Sequence, residues 1–491
     1  MRSCLTSLSL AAVALAASAL PAAAGTLLVP QQFPTIQKAL NAARPRDTVL
    51  VSPKPNNGVY NEALTISTPH VVLQGRNNPV LDGTGLGVAA SSPQLPSFIA
   101  YPNGIEIRAS HVTVSGLTVQ NTGGLPYGNP AGVNVGYVTP DGQNVVSFSD
   151  IKISGVTFRN DYNGVTIEGL SLTNFANGGT YTLLKGYQLL GNVFTGNSNT
   201  GASVIGASIL IVGNRFTNNS FTGLSIGDNT YFYGAPPTQN VTVSGNQFTG
   251  SASGAMNANG DGLTVTGNEV ASNPGPGLSV SAPIYNPAVH DPASPNPPAS
   301  AVTLNYAHDN QGVGLTVGGT VTVSGNVLTK NTGNGLFLSF ADYSTVTYNL
   351  ITDTLLQGYG SGDGTGIYAD SSSGFGSSGG FLAISANEVS DNAGDGIFLA
   401  AIVGSKVSDN DASANDGIGI HLSDATRGTT TPNTVTQNLA RHNAIFDARD
   451  DTSAMGPVID NGNTYSGDGV PTANVWTKNL FGTTDPVGLS K

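Results

Sequence analysis

The chain has 491 residues and a formal net charge of −12 at pH 7, and only 10% of its residues are charged. This acidic composition argues against nucleic acid as a partner, because phosphate binding requires clustered basic side chains. Cys4 is the single cysteine, so the chain after it forms no internal disulfide and no thiolate metal site. No apolar run after the first 24 residues is long enough to span a bilayer.

Residues 1–24 have the pattern of a secretory signal peptide. Arg2 provides a positive start, an apolar stretch continues to Leu20, and an alanine triplet before Gly25 forms a small-residue cleavage site. The sequence therefore predicts an exported protein, either periplasmic or secreted.

Residues 25–110 are predicted to form an N-terminal cap and the first coils of the fold. Ile36 and Leu40 are spaced as on one face of a short helix that begins near Pro34. A cap is expected because the open end of a stacked β-structure would otherwise pair with other chains.

An 18-residue pattern recurs through residues 111–450. Its eleventh residue is usually asparagine, and its fifteenth is usually glycine followed by a short apolar strand. Its sixth residue is asparagine in ten copies, namely Asn192, Asn214, Asn246, Asn268, Asn305, Asn326, Asn349, Asn387, Asn410 and Asn438. A unit of this length cannot bury its own apolar face, so the copies must stack on one another.

Each copy has the alternation of a β-strand after its glycine. Positions 16 and 18 are apolar and position 17 is mostly polar, as in Leu224, Ser225 and Ile226. Asparagine tolerates left-handed backbone angles in turns, and asparagines at one level of successive coils can hydrogen-bond along the stack. The pattern therefore predicts a parallel β-solenoid with coils about 4.8 Å apart.

This pattern resembles the right-handed parallel β-helix of the pectin-lyase-like superfamily. The opening TLLVPQQFPTIQKALNAARPRDTVLV is similar to that family's N-terminal cap, and residues 451–491 resemble its C-terminal closure. The resemblance implies an all-β, single-domain right-handed helix, and the handedness follows from the resemblance alone. It selects no single activity, because this fold hosts many.

Five gaps between copies are long, at residues 129–149, 168–186, 227–240, 281–299 and 362–381. Counted from the repeat, each gap follows position 18, so the loops are predicted to leave the solenoid at one corner and form a wall there. Their aromatic residues include Tyr231, Tyr233 and Tyr285, which are candidate sugar-binding residues. The alternative is that these rings pack the loops onto the solenoid.

Position 17 is predicted to point outward and to form a column along the stack. The column reads Thr166, Ser203, Ser225, Asn257, Ser279, Thr316, Phe337, Gly360, Phe398, His421 and Arg449. The side chains of the early coils in this column are small and polar, and those of the later coils are mostly aromatic or basic. Phe337, Phe398 and Arg449 are therefore further candidates for binding a substrate.

Asp395, His421 and Asp370 are the candidate catalytic residues, because carboxylates and an imidazole within a few coils suit acid–base work on a glycosidic bond. The GDGI at Asp395 resembles the acid-before-strand arrangement of polygalacturonases. However, Asp395 and Asp416 fall at positions 14 and 12 of their copies, and the Gly-His-Gly and Arg-Ile-Lys motifs of that family are missing. The alternative interpretation is a turn-forming aspartate beside a surface histidine.

Metal binding stays open at the sequence level. Ca²⁺ is an option where Asp447, Asp450 and Asp451 converge, although their spacing matches no defined calcium loop. Copper delivery fits poorly with a chain that has three methionines, one of them Met1.

Three functions remain open. The first is an exported hydrolase or lyase acting on a polysaccharide, the second is a non-catalytic carbohydrate-binding or adhesive protein, and the third is a structural component of the cell envelope. We expect a monomer whose partner is a polysaccharide. The sequence reveals neither the sugar nor whether a bond is cleaved.

Overall fold

A computed structural model describes residues 24–86, 103–123, 130–139, 144–173, 179–227, 236–285, 299–357, 363–370, 380–423, 432–450, 463–464 and 474–485. Over these residues the chain winds into a right-handed parallel β-helix with three long sheets. Consecutive strands of each sheet come from consecutive coils, which confirms the predicted solenoid.

Sheet 1 carries the first strand of each coil. Among the described residues its strands are Thr26–Val29, Thr48–Val51, Val72–Gly75, Thr113–Ser115, Ile151–Ser154, Lys185–Leu190, Ala207–Val212, Gln239–Ser244, Asp261–Thr266, Ser300–Thr303, Val321–Ser324, Thr345–Thr347, Ala383–Ser385, Lys406–Ser408, Thr434–Thr436 and Val475–Thr477, with the short antiparallel strand Asn463–Thr464 on the last.

Sheet 2 follows a tight turn in each coil. Within the same ranges its strands are Val80–Asp82, Thr118–Gln120, Thr157–Arg159, Val193–Thr195, Arg215–Thr217, Gln247–Thr249, Glu269–Ala271, Tyr306–His308, Val327–Thr329, Leu350–Thr352 and Glu388–Ser390. The pair Leu439–Ala440 and Leu480–Phe481 continues it through bridges at Asp411.

Sheet 3 closes each coil and carries the outward column. Its strands in the described chain are Leu64–Ile66, Ile105–Ile107, Ala131–Val135, Asn163–Glu168, Ala202–Ile205, Thr222–Ile226, Gly254–Asn259, Leu278–Ser281, Leu315–Gly318, Leu336–Ser339, Ile367–Asp370, Ile397–Ala400, Ile418–Ser423, Phe446–Asp450 and Thr484–Asp485.

The predicted capping helix is present as Ile36–Ala42. Its N-cap is Thr35, whose side chain accepts a hydrogen bond from the Lys38 N–H at 3.2 Å. The Glu62 carboxylate accepts hydrogen bonds from the two N–H groups before that of Lys38, those of Ile36 and Gln37. The helix buries Ile36 and Leu40 over the first coil, which covers the open end of the solenoid. A 3-10 turn at Pro55–Asn57 follows.

Two asparagine ladders run inside the turns on either side of sheet 2. In the first, each asparagine donates its backbone N–H and its side-chain Nδ2 to the Oδ1 of the next coil, as Asn192 does to Asn214 at 2.9 and 3.0 Å. This arrangement repeats from Asn192 to Asn479. The predicted hydrogen bonding along the stack is therefore confirmed.

The left-handed backbone angle lies one residue before each ladder asparagine. Gly191 and Gly213 have φ of 60° and 64°, and Leu304 and Tyr348 take similar values at the equivalent turn. The expectation that the asparagines themselves use this conformation is wrong for the first ladder. Their side chains face inward because the preceding residue makes the turn.

The long gaps also need correction. Residues 168–186, 227–240 and 281–299 leave between sheet 3 and sheet 1, as predicted. The gaps 129–149 and 362–381 instead contain sheet-3 strands, Ala131–Val135 and Ile367–Asp370. Counting residues misses these two strands because each of these two coils has an insertion before its sheet-3 strand, which moves the strand past position 18.

Part of the loop wall is itself a small antiparallel sheet. Its strands in the described residues are Tyr137–Val138, Val145–Val146, Leu170–Thr173 and Thr180–Leu183. No helix in the described part of the chain has the length and apolar character to cross a bilayer.

Candidate functional site

The late outward column lies on sheet 3, where five side chains occupy equivalent positions on neighbouring strands. Strand register aligns Phe337 with Tyr368, Tyr368 with Phe398, Phe398 with His421 and His421 with Arg449. Adjacent members are separated by one inter-strand spacing, about 4.8 Å. This register brings together residues that are distant in sequence.

Tyr368, and not Gly360, occupies the column between Phe337 and Phe398. The prediction of Gly360 is wrong because it counts 17 residues from the start of the copy, across an insertion. A local signal was available in the sequence. Gly366-Ile367-Tyr368 matches Gly396-Ile397-Phe398, the triplet that opens the next strand.

The rings of this column stack on one another along the coil axis. Ring centroids are 5.4 Å apart between Phe337 and Tyr368, 5.3 Å between Tyr368 and Phe398, and 4.2 Å between Phe398 and His421. The Phe398 and His421 rings are parallel to within 6°, whereas the Tyr368 and Phe398 rings are tilted by 33°. The faces between neighbours are therefore covered, so a sugar would meet mainly ring edges at Tyr368 and Phe398, both of them buried.

Asp395 holds the imidazole at the end of this stack. Its Oδ2 lies 2.7 Å from His421 Nδ1, and its Oδ1 accepts the Ile418 N–H at 2.7 Å. The His421 and Asp395 side chains are 13% and 16% exposed. Gly417 is needed here, because a Cβ at that position would lie 2.3 Å from Asp395 Oδ1. The carboxylate thus fixes both the ring and the start of the next strand.

Asp370 lies at the other end of its strand and is not brought to this pair. Its Oδ2 is 3.2 Å from the Tyr368 hydroxyl, and its backbone is level with Ala400. Asp395 lies five residues before Ala400 in the chain. The four steps from Gly396 to Ala400 alone span roughly 13 Å, so the backbones of Asp370 and Asp395 are at least that far apart along the sheet.

The remaining predicted binding residues do not all lie at this site. Arg449 is next to His421 in register. Tyr285 lies beyond the strand Leu278–Ser281, where its N–H donates to Thr320 Oγ1 at 2.8 Å. That strand is five coils before the one carrying His421, or about 24 Å along the stack. Tyr231 and Tyr233 lie outside the described residues.

A second histidine–carboxylate pair, which the sequence patterns do not single out, lies on sheet 2. His308 Nδ1 is 2.7 Å from Asp309 Oδ2, and the His308 ring stacks on Tyr306 with centroids 4.1 Å apart. Asp309 is 52% exposed and adjacent in sequence. The pair reproduces the contact distance of Asp395 and His421 on a different face.

The aspartates predicted as calcium ligands are hydrogen-bonded within the protein. Asp447 accepts from Asn443, Gly482 and Thr483. Burial alone would raise the pKa of Asp447, but these hydrogen bonds outweigh it and hold the pKa below its usual value.

Asp450 accepts from the Trp476 indole N–H at 3.0 Å and from the Asn474 amide. Asp451 lies outside the described residues. Within the described ranges, no three His, Cys, Asp or Glu side chains gather as metal ligands would. Calcium binding therefore stays a prediction.

Comparison with known proteins supports the fold. Residues 185–351 match the family model described as a right handed beta helix region, and residues 360–484 match that of a periplasmic copper-binding protein (NosD). No curated protein matches the chain.

Several solved structures are similar to this chain. The A-module of a mannuronan C-5 epimerase from Azotobacter vinelandii is 12% identical, with 84% of this chain and 90% of that one covered and a TM-score of 0.34. A PL6 family polysaccharide lyase from Pseudopedobacter saltans is 12% identical over 93% and 92%, with a TM-score of 0.39. A GH136 lacto-N-biosidase from Eubacterium ramulus is 11% identical over 85% and 68%, with a TM-score of 0.36. Similarity at this level carries no argument about substrate or reaction.

The described residues in the range matched by the copper-binding family model do not fit a copper site. Copper prefers thiolate, thioether and imidazole ligands. The matched range has no cysteine, its histidines are His421 and His442, and its one methionine, Met455, lies outside the described residues. Among the described residues, neither histidine belongs to a group of three His, Cys, Asp or Glu side chains that could hold a metal. Copper therefore has no part in the chemistry derived below.

Proposed function

We propose that the chain, a right-handed parallel β-helix, is an exported protein of the pectin-lyase-like type that binds a polysaccharide along the outward face of sheet 3 and processes it there. The observation that carries this proposal is the 2.7 Å contact between Asp395 and His421 on that face. A carboxylate that accepts from Nδ1 fixes the tautomer and the ring, so Nε2 becomes the atom that takes or gives a proton.

The spacing of the carboxylates favours a lyase over a hydrolase. Glycosidases that use two carboxylates hold them roughly 5–9.5 Å apart. Asp370 and Asp395 lie on backbone positions farther apart than that, and each is bound to a different partner, Tyr368 and His421. The predicted pair Asp370 and Asp395 therefore lacks the spacing of two glycosidase carboxylates, and the proposal takes His421 as the base.

Such a base suits β-elimination from a uronic acid residue. His421 Nε2 takes the proton from C5, the released electron pair forms the C4=C5 double bond, and the bond from C4 to the glycosidic oxygen breaks. The leaving oxygen takes a proton from a water molecule, and the hydroxide that remains takes the proton from His421 Nε2, which restores the base. In this proposal Arg449, on the adjacent strand, binds the uronate carboxylate, whose negative charge grows as the proton leaves.

The test is a digestion of uronate-containing and neutral polysaccharides by the purified protein, with and without Ca²⁺. New reducing ends and the absorbance of unsaturated uronate are both measured. We expect both signals on a uronate polymer and a loss of about 100-fold or more in rate in His421→Ala, the scale of general acid–base catalysis. Asp395→Asn should also lose activity, because the ring is then held less firmly.

His308→Ala is the matched control. It removes an imidazole with the same 2.7 Å carboxylate contact from another face, so its rate should equal that of the unaltered protein. Equal losses in His308→Ala and His421→Ala would contradict the assignment. Reducing ends without the absorbance would replace the lyase step with hydrolysis.

A non-catalytic binding protein is the second candidate, and one observation favours it. Before Phe337 the outward column has small hydroxyl and amide side chains over several coils, from Ser203 through Ser225 to Thr316. Such a strip can bind sugar hydroxyls without cleaving a bond. Retained binding to one polymer, with no product from any, would select this function.

A further inference from the structure

The first strand of the fold begins directly after the alanine triplet at the predicted cleavage site. Thr26–Val29 is the first strand of the described chain, and the Thr48 N–H already donates to the Gly25 carbonyl at 2.9 Å. Ala24 is exposed. Sheet pairing therefore starts at Gly25, the first residue that cleavage after the triplet would leave.

A carboxylate faces the nitrogen of Gly25. The Gly25 N–H donates to Asp47 Oδ1 at 2.7 Å, and the Arg44 N–H donates to Asp47 Oδ2 at 2.8 Å. Asp47 is buried, with 8% of its surface exposed. The hydrogen bonds from Arg44 and Gly25 hold the pKa of Asp47 below its usual value, so the group is ionised at neutral pH.

The space around this contact suits an amine. A Cβ on residue 25 would lie 3.2 Å from Asp47 Oδ1, so glycine allows the close approach. An open cavity of about 310 Å³ adjoins the contact, bordered by Phe33 and Pro45. It has room for waters to accept the remaining hydrogens of an ammonium group.

We propose that a signal peptidase cleaves the chain between Ala24 and Gly25, and that Asp47 binds the α-ammonium group this cleavage creates. Water adds across the peptide bond, which gives a carboxylate on Ala24 and an amine on Gly25, and the amine takes a proton. The existing N–H contact then becomes an ion pair. Cleavage thus stabilises the pairing of the first two strands of sheet 1. This inference is independent of the activity on sheet 3.

The test compares four purified proteins. Two begin with a free amine at Gly25, and two begin at Ala22, so that residue 25 keeps a peptide N–H. Each start is made with Asp47 and as Asp47→Asn. In the chain that begins at Ala22 only the acceptor of this hydrogen bond is charged, whereas in the chain that begins at Gly25 the donor is charged as well. At pH 6 we therefore expect Asp47→Asn to lower the midpoint of thermal unfolding further in the chain that begins at Gly25.

The pH dependence separates an ion pair from ordinary packing. An unfolded α-amino group has a pKa of about 7.7–8.0. Pairing raises this pKa in the folded chain, so the added stability is complete below that range and is lost as the pH rises through the folded pKa. At high pH the two Asp47→Asn losses should become equal, and groups shared by all four proteins cancel in the comparison.

A separate measurement locates the cut. The full-length gene is expressed in a host that exports it, and the intact mass of the product is determined. The expected mass is that of a chain beginning at Gly25. Any other N-terminus would overturn the proposal. So would an equal drop in the unfolding midpoint from Asp47→Asn at pH 6 in the chains that begin at Gly25 and at Ala22.

Discussion

Two aromatic stacks run along this β-helix, one inside it and one outside. The inner stack consists of Phe158, Phe194, Phe216 and Phe248, with successive centroids 5.0, 4.7 and 4.7 Å apart. The outer stack runs from Phe337 to His421 at similar distances. The same inter-coil spacing therefore builds both stacks, and the direction of the side chains gives them different roles.

A carboxyl group lies at one end of each stack, and the two groups differ in how deeply they are buried. Asp161 lies beside Phe158 and is fully buried; its Oδ1 accepts from the Thr122 N–H and hydroxyl, while its Oδ2 has no hydrogen-bond partner among the described residues. Burial raises the pKa of Asp161 to about 8. Asp395, at the outer stack, is part-exposed and faces the imidazole of His421. The inner carboxyl thus stays protonated at neutral pH, and the outer one holds the His421 ring.

The largest expected effect is on the inner stack. Phe216→Ala removes a ring that is in contact with two others and fully buried, so the free energy of unfolding should fall by about 3–5 kcal/mol. Urea denaturation measures this loss. Phe221→Ala is the control, since that ring is 53% exposed and its removal should change stability by less than about 0.5 kcal/mol. Similar losses in both would contradict the assigned role of the stack.

The second prediction concerns Asp161 and pH. Its folded pKa of about 8 exceeds the unfolded value of about 3.9. The folded chain therefore holds an extra proton between these pH values, and stability falls as the pH rises, by at most about 1.4 kcal/mol per unit.

The second ladder runs from Asp161 to Asn197 and Asn219 in the next coils, since the Asp161 N–H donates to Asn197 Oδ1 and Asn197 Nδ2 donates to Asn219 Oδ1. Asp161→Asn therefore places an amide at the start of a row of amides. The variant should lose this dependence and be more stable than the unaltered protein above pH 8. Denaturation midpoints of both proteins from pH 4 to 9 provide the measurement. Parallel curves would show that Asp161 is ionised in the folded state.

The smallest stability effect is expected in the outer stack. Phe398→Ala leaves no enclosed cavity, because the ring lies on the outward face, so the loss should be about 1–2 kcal/mol. Its effect on activity should be larger, since Phe398 supports the His421 ring at 4.2 Å. Rate and stability measured on one preparation test this. A loss of stability as large as that of Phe216→Ala would contradict the different roles assigned to the inner and outer stacks.

The sequence alone determined the architecture. The column of asparagines, the period-two strands and the capping helix are local patterns repeated at nearly constant intervals, and stacking is the way such units bury their apolar faces. The repeat by itself therefore places Asn192 and its equivalents in a ladder. It likewise assigns Asp395, His421 and Phe398 to one late patch on the outward face.

Only the tertiary structure decided how that patch is assembled. Asp395 and His421 are 26 residues apart, and counting residues gave neither their contact nor the presence of Tyr368 between Phe337 and Phe398. Insertions change the number of residues in a coil, whereas backbone hydrogen bonds between strands fix which residues are neighbours. Register in the stack, and not distance along the chain, therefore determines which side chains can act together.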